Sequence, residues 1–498
     1  DYSKENYDKI DLHRPYVDDI ILVSDSGQKM YREKDLIDVW FDSGAMPYAQ
    51  VHYPFENKEG FGQVYPADFI AEGVDQTRGW FFTLHAIASM LFDSVAFKNI
   101  ISNGLVLDKN GNKMSKRLGN AVDPFEVLDT YGADATRWYM ISNSQPWDNL
   151  KFDRDGVDEV RRKFFGTLYN TYSFFALYAN VDGFTGREEE VPMEKRPEID
   201  RWIISLLNTL VKNVTESLED YDPTPAARAI QEFVGENLSN WYVRLNRKRF
   251  WGGGMNDDKL AAYQTLYTCL ETVTRLMAPF APFMADRLFG DLNAVSGKYR
   301  DSVHLCAFPT ADASLIDGEL EDTMSIAKRV SSMVLALRRK VNIKVRQPLT
   351  KILIPVLDEK TGRHIEKVRS LIMNEVNVKE VELITNTMGL ITKRIKPNFK
   401  TLGPRYGKQM KQIAALVASF SQERIAAIEA NDSFFLEIDG RQLPVTREDF
   451  EITSEDMPGW LVATEGKLTV ALDVTVTETL LREGIARELI NRIQNIRK

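Results

Sequence analysis

The 498 residues of this protein are 44% hydrophobic and 27% charged, enough to form about three domains of roughly 150 residues each. The longest apolar runs are interrupted well before the ~20 residues that a membrane helix needs, so we expect no membrane span. A net charge of −9 argues against a surface that binds polyanions everywhere, so an RNA partner would need a local basic face.

Residues 1–150 are predicted to form an α/β sheet domain. Short apolar strand-like runs at 20–23, 69–71 and 100–102 alternate with helical stretches. Further along, Asp123 followed by Pro124 predicts a capped helix start, because Asp accepts bonds from free N–H groups and proline suits the first helical position.

Residues 151–315 are predicted to be almost entirely helical. After Asp200, a typical N-cap residue, apolar side chains recur at helical intervals and form one stripe: Ile203, Leu206, Leu207, Leu210, Val214 and Leu218. A stretch rich in Pro, Asp and Gly at 309–318 predicts a domain boundary. Residues 316–498 mix strand-like runs with a hairpin turn at Asp439-Gly440 and a closing helix, which predicts a small α+β module.

The cysteine and histidine content disfavours metal sites and disulfides. Cys269, Cys306 and five scattered histidines cannot supply paired metal ligands or a disulfide framework, so we expect no zinc or other protein-bound metal, and a reducing cytoplasm. The first residue is Asp1, without a methionine, and the last residues stop within a helical pattern. Both ends therefore look cut, and we expect a fragment.

A cationic loop at 111–120 is the clearest functional signal. The segment GNKMSKRLGN contains two glycines that bracket three cations and a serine: Gly111, Lys113, Ser115, Lys116, Arg117 and Gly119. Lysine is a compact point charge on a flexible stem, which suits phosphate oxygens whose charge moves during a reaction. The residue order is not that of a Walker A loop, which disfavours a P-loop NTPase. An exposed basic turn without a ligand is the simpler alternative.

KMSKR at 113–117 resembles the KMSKS signature of class I aminoacyl-tRNA synthetases. DVWFDSGAMPYA at 38–49, AEGVDQTRGWFF at 71–82 and YGADATRWY at 131–139 follow in that family's order and spacing. The resemblance covers essentially the entire chain. It implies the second half of a Rossmann-type catalytic domain at 1–150, an anticodon-binding helix bundle at 151–315 and a tRNA-contacting α+β module at 316–498.

The resemblance also implies roles for particular side chains. Lys116, with Lys113 and Ser115 beside it, would stabilise the transition state as an amino-acid carboxylate attacks ATP, which enters with Mg²⁺. Arg117 departs from the family's serine but keeps a donor. The residues implied to surround the aminoacyl-adenylate are Glu72, Gly73, Asp75, Gln76, Trp40 and Trp80. A helix cap made by Asp75 or Thr77, with core tryptophans, explains the same stretch without a ligand.

Several segments resemble the isoleucyl branch of the family: NWYVRLNRKRFW at 240–251, RQPL at 346–349, NEVNVKEVE at 374–382 and the closing helix at 482–498. We therefore expect a parent enzyme that activates isoleucine and transfers it to tRNA(Ile), as a monomer; a valyl enzyme is the alternative. The family's His-Ile-Gly-His motif does not occur in this sequence, and its editing domain is an insertion that we expect this chain to lack. By itself the chain is predicted to be inactive.

Two basic stretches are predicted to contact tRNA. In the first, cations and aromatics interleave, and bases could stack there: Trp241, Arg244, Arg247 and Arg249. A helix that buries its aromatics fits nearly as well. The second, 393–411, has seven Lys/Arg and no acid, and Lys393, Arg394 and Lys396 are the predicted phosphate contacts. A non-catalytic tRNA-binding protein is a further alternative, which the cationic loop and the acidic stretch at 72–76 together disfavour.

Overall fold

A computed structural model describes residues 3–298, 301–356, 358–385, 391–431, 433–438, 440–456, 459–466 and 468–497. The chain divides into two compact units, one formed by residues 1–190 and 210–311 and the other by residues 191–209 and 312–498. Within the described part of the chain, no helix combines the length and the apolar character needed to cross a bilayer.

The first unit begins with α/β structure. Its elements are α1 Lys4–Tyr7, β1 Leu22–Val23, β2 Lys29–Met30, α2 Val39–Gly44, α3 Met46–Ala49, α4 Phe61–Val64, β3 Ala67–Gly73, α5 Trp80–Phe92, β4 Phe97–Asn103, β5 Val106–Leu107, α6 Pro124–Tyr131, α7 Ala133–Asn143 and β6 Leu150–Lys151. The strands expected at 69–71 and 100–102 are confirmed as parts of β3 and β4. The helix start is also confirmed, because Asp123 accepts a hydrogen bond from the Phe125 backbone N–H at the beginning of α6.

Two pairs of parallel strands lie in this α/β region. β3 pairs with β4 from Ala67 opposite Phe97 to Gly73 opposite Asn103, and α5 connects the two strands. β5 pairs with β6, also in parallel, and β1 pairs with β2 in antiparallel fashion. On α5 the buried residues recur at helical spacing: Phe81, Leu84, Ile87 and Ala88. One face of α5 therefore packs on the strands, where Leu84 and Ala88 share a cluster with Ile70 of β3 and Phe97 of β4.

A helical bundle completes the first unit. Its helices are α8 Arg154–Val160, a π-helical segment Arg161–Phe165, α9 Gly166–Asp182, α10 Glu198–Glu219, α11 Pro223–Glu232, a second π-helical segment Phe233–Val243, α12 Arg244–Phe250, α13 Asp257–Met277 and α14 Pro282–Ser296. The division into two units falls within α10. The apolar stripe of α10 is confirmed by the burial of Ile203, Leu207 and Val214. Asp200 does not cap α10, because the helix begins at Glu198 and Asp200 is buried inside it.

The second unit is α+β. Its remaining elements are α15 Gly318–Lys340, β7 Leu349–Pro355, α16 Glu359–Val376, β8 Val378–Ile384, β9 Ile391–Pro397, α17 Phe399–Tyr406, α18 Met410–Ala418, α19 Gln422–Ala430, β10 Ser433–Ile438, β11 Arg441–Thr446, β12 Phe450–Asp456, β13 Trp460–Glu465, β14 Leu468–Asp473 and α20 Glu478–Ile496. A four-stranded mixed sheet has the order β13-β14-β7-β8. β9 pairs with β12, and β10 pairs with β11 as the expected hairpin, whose turn residue Asp439 lies outside the described residues.

Candidate active site

An acidic corner, residues 72–76, lies where β3 ends. Glu72 is opposite Ser102 and Gly73 is opposite Asn103, so the carboxyl ends of two parallel strands meet at this edge. Open α/β sheets bind ligands at such edges. After Gly73 the chain makes a 3₁₀ turn, Val74–Arg78, before α5 begins. Glu72 and Asp75 are exposed, so both carboxylates are available to a ligand.

Gln76 holds the corner in place. Its Oε1 accepts a hydrogen bond from the Trp80 backbone N–H at 2.9 Å, and its Nε2 donates to Asp75 Oδ2 at 3.1 Å. Gly79 occupies the N-cap position of α5, and Gln76 accepts from the first N–H of the helix, so neither Asp75 nor Thr77 caps it as the ligand-free interpretation predicts. Thr77 instead donates to the Val74 carbonyl oxygen. The amide thus fixes the orientation of the Asp75 carboxylate.

Two tryptophans flank the corner. The Trp80 indole N–H donates to the Ser43 carbonyl oxygen at 2.9 Å, which ties α2 to α5. The Trp40 ring lies against Gly79, where an added Cβ would be only 3.0 Å from Trp40 Cη2. Trp40 is 47% exposed, so it is not a core tryptophan, and Trp80 is partly buried. Apolar ring surface therefore borders the acidic corner, as a pocket for an aliphatic side chain requires.

The cationic loop follows β5, which pairs in parallel with β6 in a sheet separate from that of β3 and β4. β5 begins three residues after β4 ends, and Leu107 bridges to Lys113 at the base of the loop. Ser115 caps a 3₁₀ turn, Lys116–Leu118, by accepting from the Arg117 backbone N–H at 3.2 Å, and Gly119 ends the turn at a φ of +66°. The three cations of the loop are exposed, and among the described residues none of them forms an ion pair or a side-chain hydrogen bond.

The loop and the acidic corner are not joined by polar contacts in the described part of the chain. No hydrogen bond or ion pair among the described residues joins Lys113 or Lys116 to Glu72 or Asp75. The two segments are linked along the chain, because β3 pairs with β4 and β4 leads within a few residues into β5, which belongs to a separate sheet. Cationic and anionic groups are thus presented separately, which leaves both sets of charges available to a ligand.

Sequence reasoning missed Asp108 and Asn120, which close the base of the loop. Asn120 Nδ2 donates to Asp108 Oδ2 at 3.0 Å. This hydrogen bond, and next the one from the Asn112 backbone N–H, hold the pKa of Asp108 below its usual value. The segment DKNGN, which begins at Asp108, is typical of an Asx turn and could have indicated part of this arrangement.

The first basic stretch is only partly accessible. Trp241 is 5% exposed, and its indole N–H has no acceptor among the described residues. The guanidinium of Arg244 lies 5.7 Å from the Trp241 ring centroid and donates to the Asn240 carbonyl oxygen. Burial therefore removes Trp241 from the predicted stacking surface, because neighbouring helices cover its ring.

The other residues of this basic stretch differ in how far their side chains are exposed and in whether they form ion pairs. Arg249 forms an ion pair with Asp258 at 2.9 Å, and its side chain is 14% exposed. Arg247 and Lys248 are exposed, with no ion pair among the described residues. Trp251, four residues after Arg247, is 55% exposed. The exposed cations of this stretch that form no ion pair among the described residues are therefore Arg247 and Lys248, and its exposed aromatic ring is Trp251.

The second basic stretch begins on β9. Arg394 and Lys396 are exposed on one face of this strand, and the intervening Ile395 is buried. Lys393 has its backbone in β9, but its side chain lies outside the described residues. Further along the chain, Arg405 forms an ion pair with Asp449 at 2.9 Å, and its guanidinium lies over the Tyr406 ring. Arg394 and Lys396 are thus the described members of the predicted trio.

Comparison with known proteins identifies relatives of both units. Residues 1–153 match the family described as tRNA synthetases class I (I, L, M and V), and residues 200–354 match the anticodon-binding domain of tRNA ligase. The isoleucine–tRNA ligase of Bacteroides fragilis is 68% identical over 501 residues, which cover 100% of this chain and 44% of the relative. That of Porphyromonas gingivalis is 65% identical over 100% of this chain and 44% of the relative. That of Clostridium tetani is 43% identical over 98% of this chain and 47% of the relative.

The chain therefore spans less than half the length of the curated relatives that it matches. Among solved structures, a ternary complex of Agrobacterium radiobacter K84 agnB2 LeuRS with tRNA and LeuAMS has 21% sequence identity and a TM-score of 0.48, over 60% of this chain and 36% of that chain. Mycobacterium tuberculosis methionyl-tRNA synthetase in complex with methionyl-adenylate has 21% sequence identity and a TM-score of 0.43, over 51% of this chain and 49% of that chain.

Proposed function

Because the chain belongs to the isoleucyl-tRNA synthetase family, within the class I synthetases, we propose that it carries the second half of the catalytic domain and the tRNA-binding parts of an isoleucine–tRNA ligase. The catalytic half comprises residues 1–150, the anticodon-binding bundle 151–315 and a tRNA-contacting module 316–498. The valyl alternative is not favoured, since the relatives that are 63–68% identical are isoleucine–tRNA ligases.

One observation carries the catalytic part of this proposal. The cationic loop presents exposed cations that form no ion pair among the described residues, and its supporting strand β5 begins three residues after β4, which pairs with the strand that carries the acidic corner. In the proposed first step, an isoleucine carboxylate oxygen forms a bond to the α-phosphorus of ATP, and the bond to the bridging oxygen of the β-phosphate breaks. Pyrophosphate leaves with that electron pair. Lys116 and Lys113 offset the charge that develops on the departing phosphates, and Mg²⁺ enters with ATP as part of the substrate.

The acidic corner suits the amino-acid side of this reaction. The exposed carboxylates of Glu72 and Asp75 offset the isoleucine ammonium, and the fixed amide of Gln76 keeps Asp75 in one orientation. The rings of Trp40 and Trp80 offer an apolar wall to the branched side chain. Isoleucyl-adenylate would then lie between the corner and the loop.

For tRNA we propose two contact regions. Arg247 is the best-placed cation of the bundle, because it is exposed, unpaired among the described residues and close in sequence to the accessible Trp251. Arg244 and Arg249 are already held by protein groups, so they contribute less. Arg394 and Lys396 supply phosphate contacts in the second unit. The free thiols of Cys269 and Cys306 are compatible with a reducing cytoplasm.

The test uses a chimera of the Bacteroides fragilis isoleucine–tRNA ligase in which the matching stretch, 44% of that protein, is replaced by this chain. We expect isoleucine-dependent exchange of pyrophosphate into ATP. Lys116→Ala should lower kcat by roughly 100-fold and leave the KM for isoleucine unchanged, because the lysine acts on phosphate charge in the transition state. Lys109→Ala is the matched control, since Lys109 is exposed and unpaired among the described residues but lies outside the loop.

Equal exchange by Lys116→Ala and the unsubstituted chimera would contradict the role of the loop. A chimera that binds tRNA(Ile) but exchanges no pyrophosphate would support the non-catalytic alternative instead. The chain alone is expected to exchange none.

A further inference from the structure

One amide side chain joins three points at the base of the cationic loop. Asn120 Oδ1 accepts from the Ser115 backbone N–H at 2.9 Å, and its Nδ2 donates to Asp108 Oδ2 at 3.0 Å and to the Lys113 carbonyl oxygen at 3.2 Å. Asn120 and Asp108 are both partly buried. Each end of the amide is therefore used, and its bonds reach different parts of the loop.

Asp108 completes the closure from the other side. Its Oδ1 accepts from the Asn112 backbone N–H at 2.8 Å, and its own backbone N–H donates to the Asn112 carbonyl oxygen at 2.9 Å. The bridge between Leu107 and Lys113 adds a further link to β5. The segment from Asp108 to Asn120 is thus closed at its base, and the Lys116 side chain remains outside this network of bonds.

We propose that Asn120 is a positioning residue for Lys116, an inference that rests on the proposed function of the loop. Lys116 is the first residue of the turn that Ser115 caps, and the backbone of Ser115 is held by the Asn120 amide. A side chain at 116 has the flexibility of lysine, so only a fixed backbone can restrict where its ammonium is found. Without the amide, the start of this turn loses its anchor.

The first experiment compares Asn120→Ala with Asn110→Ala in the chimera. Asn110 is exposed in the same segment, and its side chain has no hydrogen bond among the described residues, so its truncation should change nothing. For Asn120→Ala we expect a fall of roughly 10- to 100-fold in the single-turnover rate of isoleucyl-adenylate formation, because small displacements of a catalytic group can cost this much. The KM for isoleucine and the rate of transfer from preformed adenylate to tRNA should be unchanged. A general structural defect would alter all three quantities.

Two outcomes separate this inference from the proposed function. If Asn120→Ala forms adenylate within about twofold of the unsubstituted chimera while Lys116→Ala is slow, the positioning role is wrong and the loop's role stands. If Lys116→Ala also forms isoleucyl-adenylate at the rate of the unsubstituted chimera, the proposed function is wrong, and so is the inference that rests on it.

A reciprocal exchange tests the pair itself. Asn120→Asp places a second carboxylate beside Asp108 and removes the donor, so it should be at least as slow as Asn120→Ala. Adding Asp108→Asn restores one donor and one acceptor to the pair. We expect this double variant to recover adenylate formation by about fivefold or more over Asn120→Asp alone, as one hydrogen bond would give. If the double variant forms adenylate no faster than Asn120→Asp alone, the hydrogen bond between residues 108 and 120 does not have the proposed role.

A measurement without catalysis can be made on the chain as it stands. Trypsin cleaves after lysine and arginine, and the loop offers Lys113, Lys116 and Arg117. Loss of the Asn120 bonds should raise the rate of cleavage at these sites by about 10-fold, because local opening exposes the backbone to the protease. Asn110→Ala should be cleaved like the unsubstituted chain. Equal cleavage of Asn120→Ala would overturn the inference.

Discussion

The indole N–H of Trp80 donates a hydrogen bond to the backbone carbonyl oxygen of Ser43 at 2.9 Å, across 37 positions of sequence. This bond holds α2 against α5, where Gly44 also lies so close that an added Cβ would be 2.8 Å from Ile87 Cδ1. In this arrangement the Trp40 ring lies against Gly79, three residues after the acidic corner. The amino-acid side of the proposed site is therefore assembled from two separate segments, α2 and the residues that lead into α5. A larger side chain at Gly79 would disturb their close approach.

Gly79→Ala should weaken isoleucine binding. A Cβ at this position would be 2.8 Å from Gln76 Oε1 and 3.0 Å from Trp40 Cη2, so the amide, the ring or both must move. Overpacking of this kind costs ~1–3 kcal/mol, and we expect the KM for isoleucine in the chimera to rise by about 10-fold. Gly62→Ala, in α4 with nothing within 4 Å of the added Cβ, is the control. An unchanged KM for Gly79→Ala would argue against a pocket beside Trp40.

Arg247→Glu should weaken tRNA(Ile) binding without loss of stability. Arg247 is exposed and unpaired among the described residues, so reversal of its charge breaks no ion pair in that part of the chain. We expect the affinity of the chain for tRNA(Ile), measured by filter binding at fixed salt, to fall by about 10-fold with an unchanged Tm. Arg249→Glu should lower the Tm as well, because it breaks the ion pair with Asp258. Lys212→Glu, an exposed site on α10, should affect neither quantity, and equal binding by Arg247→Glu would exclude an RNA contact there.

Removal of two cations from β9 should flatten the salt dependence of tRNA binding. Each phosphate contact contributes about 0.7–0.9 to the slope of log K against log salt, so the Arg394→Ala, Lys396→Ala double variant should reduce the slope by roughly 1–2. The control is Lys360→Ala with Arg363→Ala, which removes two exposed cations from another element of the second unit, α16. A slope that stays the same in the β9 variant would mean that this strand does not contact phosphates.

Asp182→Asn should destabilise the helical bundle. Lys259 is buried, its Nζ lies 2.6 Å from Asp182 Oδ2, and the Tyr263 hydroxyl donates to the same carboxylate. Removal of one partner leaves a buried charge without compensation, so we expect a loss of ~3–5 kcal/mol in the free energy of unfolding at pH 7. Adding Lys259→Met should recover most of it. Asp220→Asn, at an exposed site, is the control.

The same carboxylate gives this stability a pH dependence. The hydrogen bond from Lys259, and then that from Tyr263, lower the pKa of Asp182 in the folded protein. Its stabilising contribution is therefore complete above the unfolded pKa of about 4 and is lost as the pH falls through the lower folded value. Urea unfolding should show the gap between the unsubstituted chain and Asp182→Asn shrinking below about pH 4. A gap that stays constant down to pH 2.5 would contradict this assignment.

Local features of the chain were predictable from the sequence. The cap at Asp123 and the strands around 69–71 and 100–102 depend on bonds and spacings within a few residues, and the structure contains them. The order of an α/β region, a helical region and an α+β region follows from periodicity, which each segment carries by itself. The family resemblance likewise rests on short motifs that can be read without a fold.

Tertiary structure decided which of these residues a ligand can reach. Trp241 and Trp251 occur in one basic stretch and look alike in sequence, but neighbouring helices cover the first and leave the second exposed. Asn120 becomes important only because the loop folds back to place it against Asp108. Burial and hydrogen bonds between distant segments depend on which surfaces are packed together, and a short stretch of sequence does not contain that information.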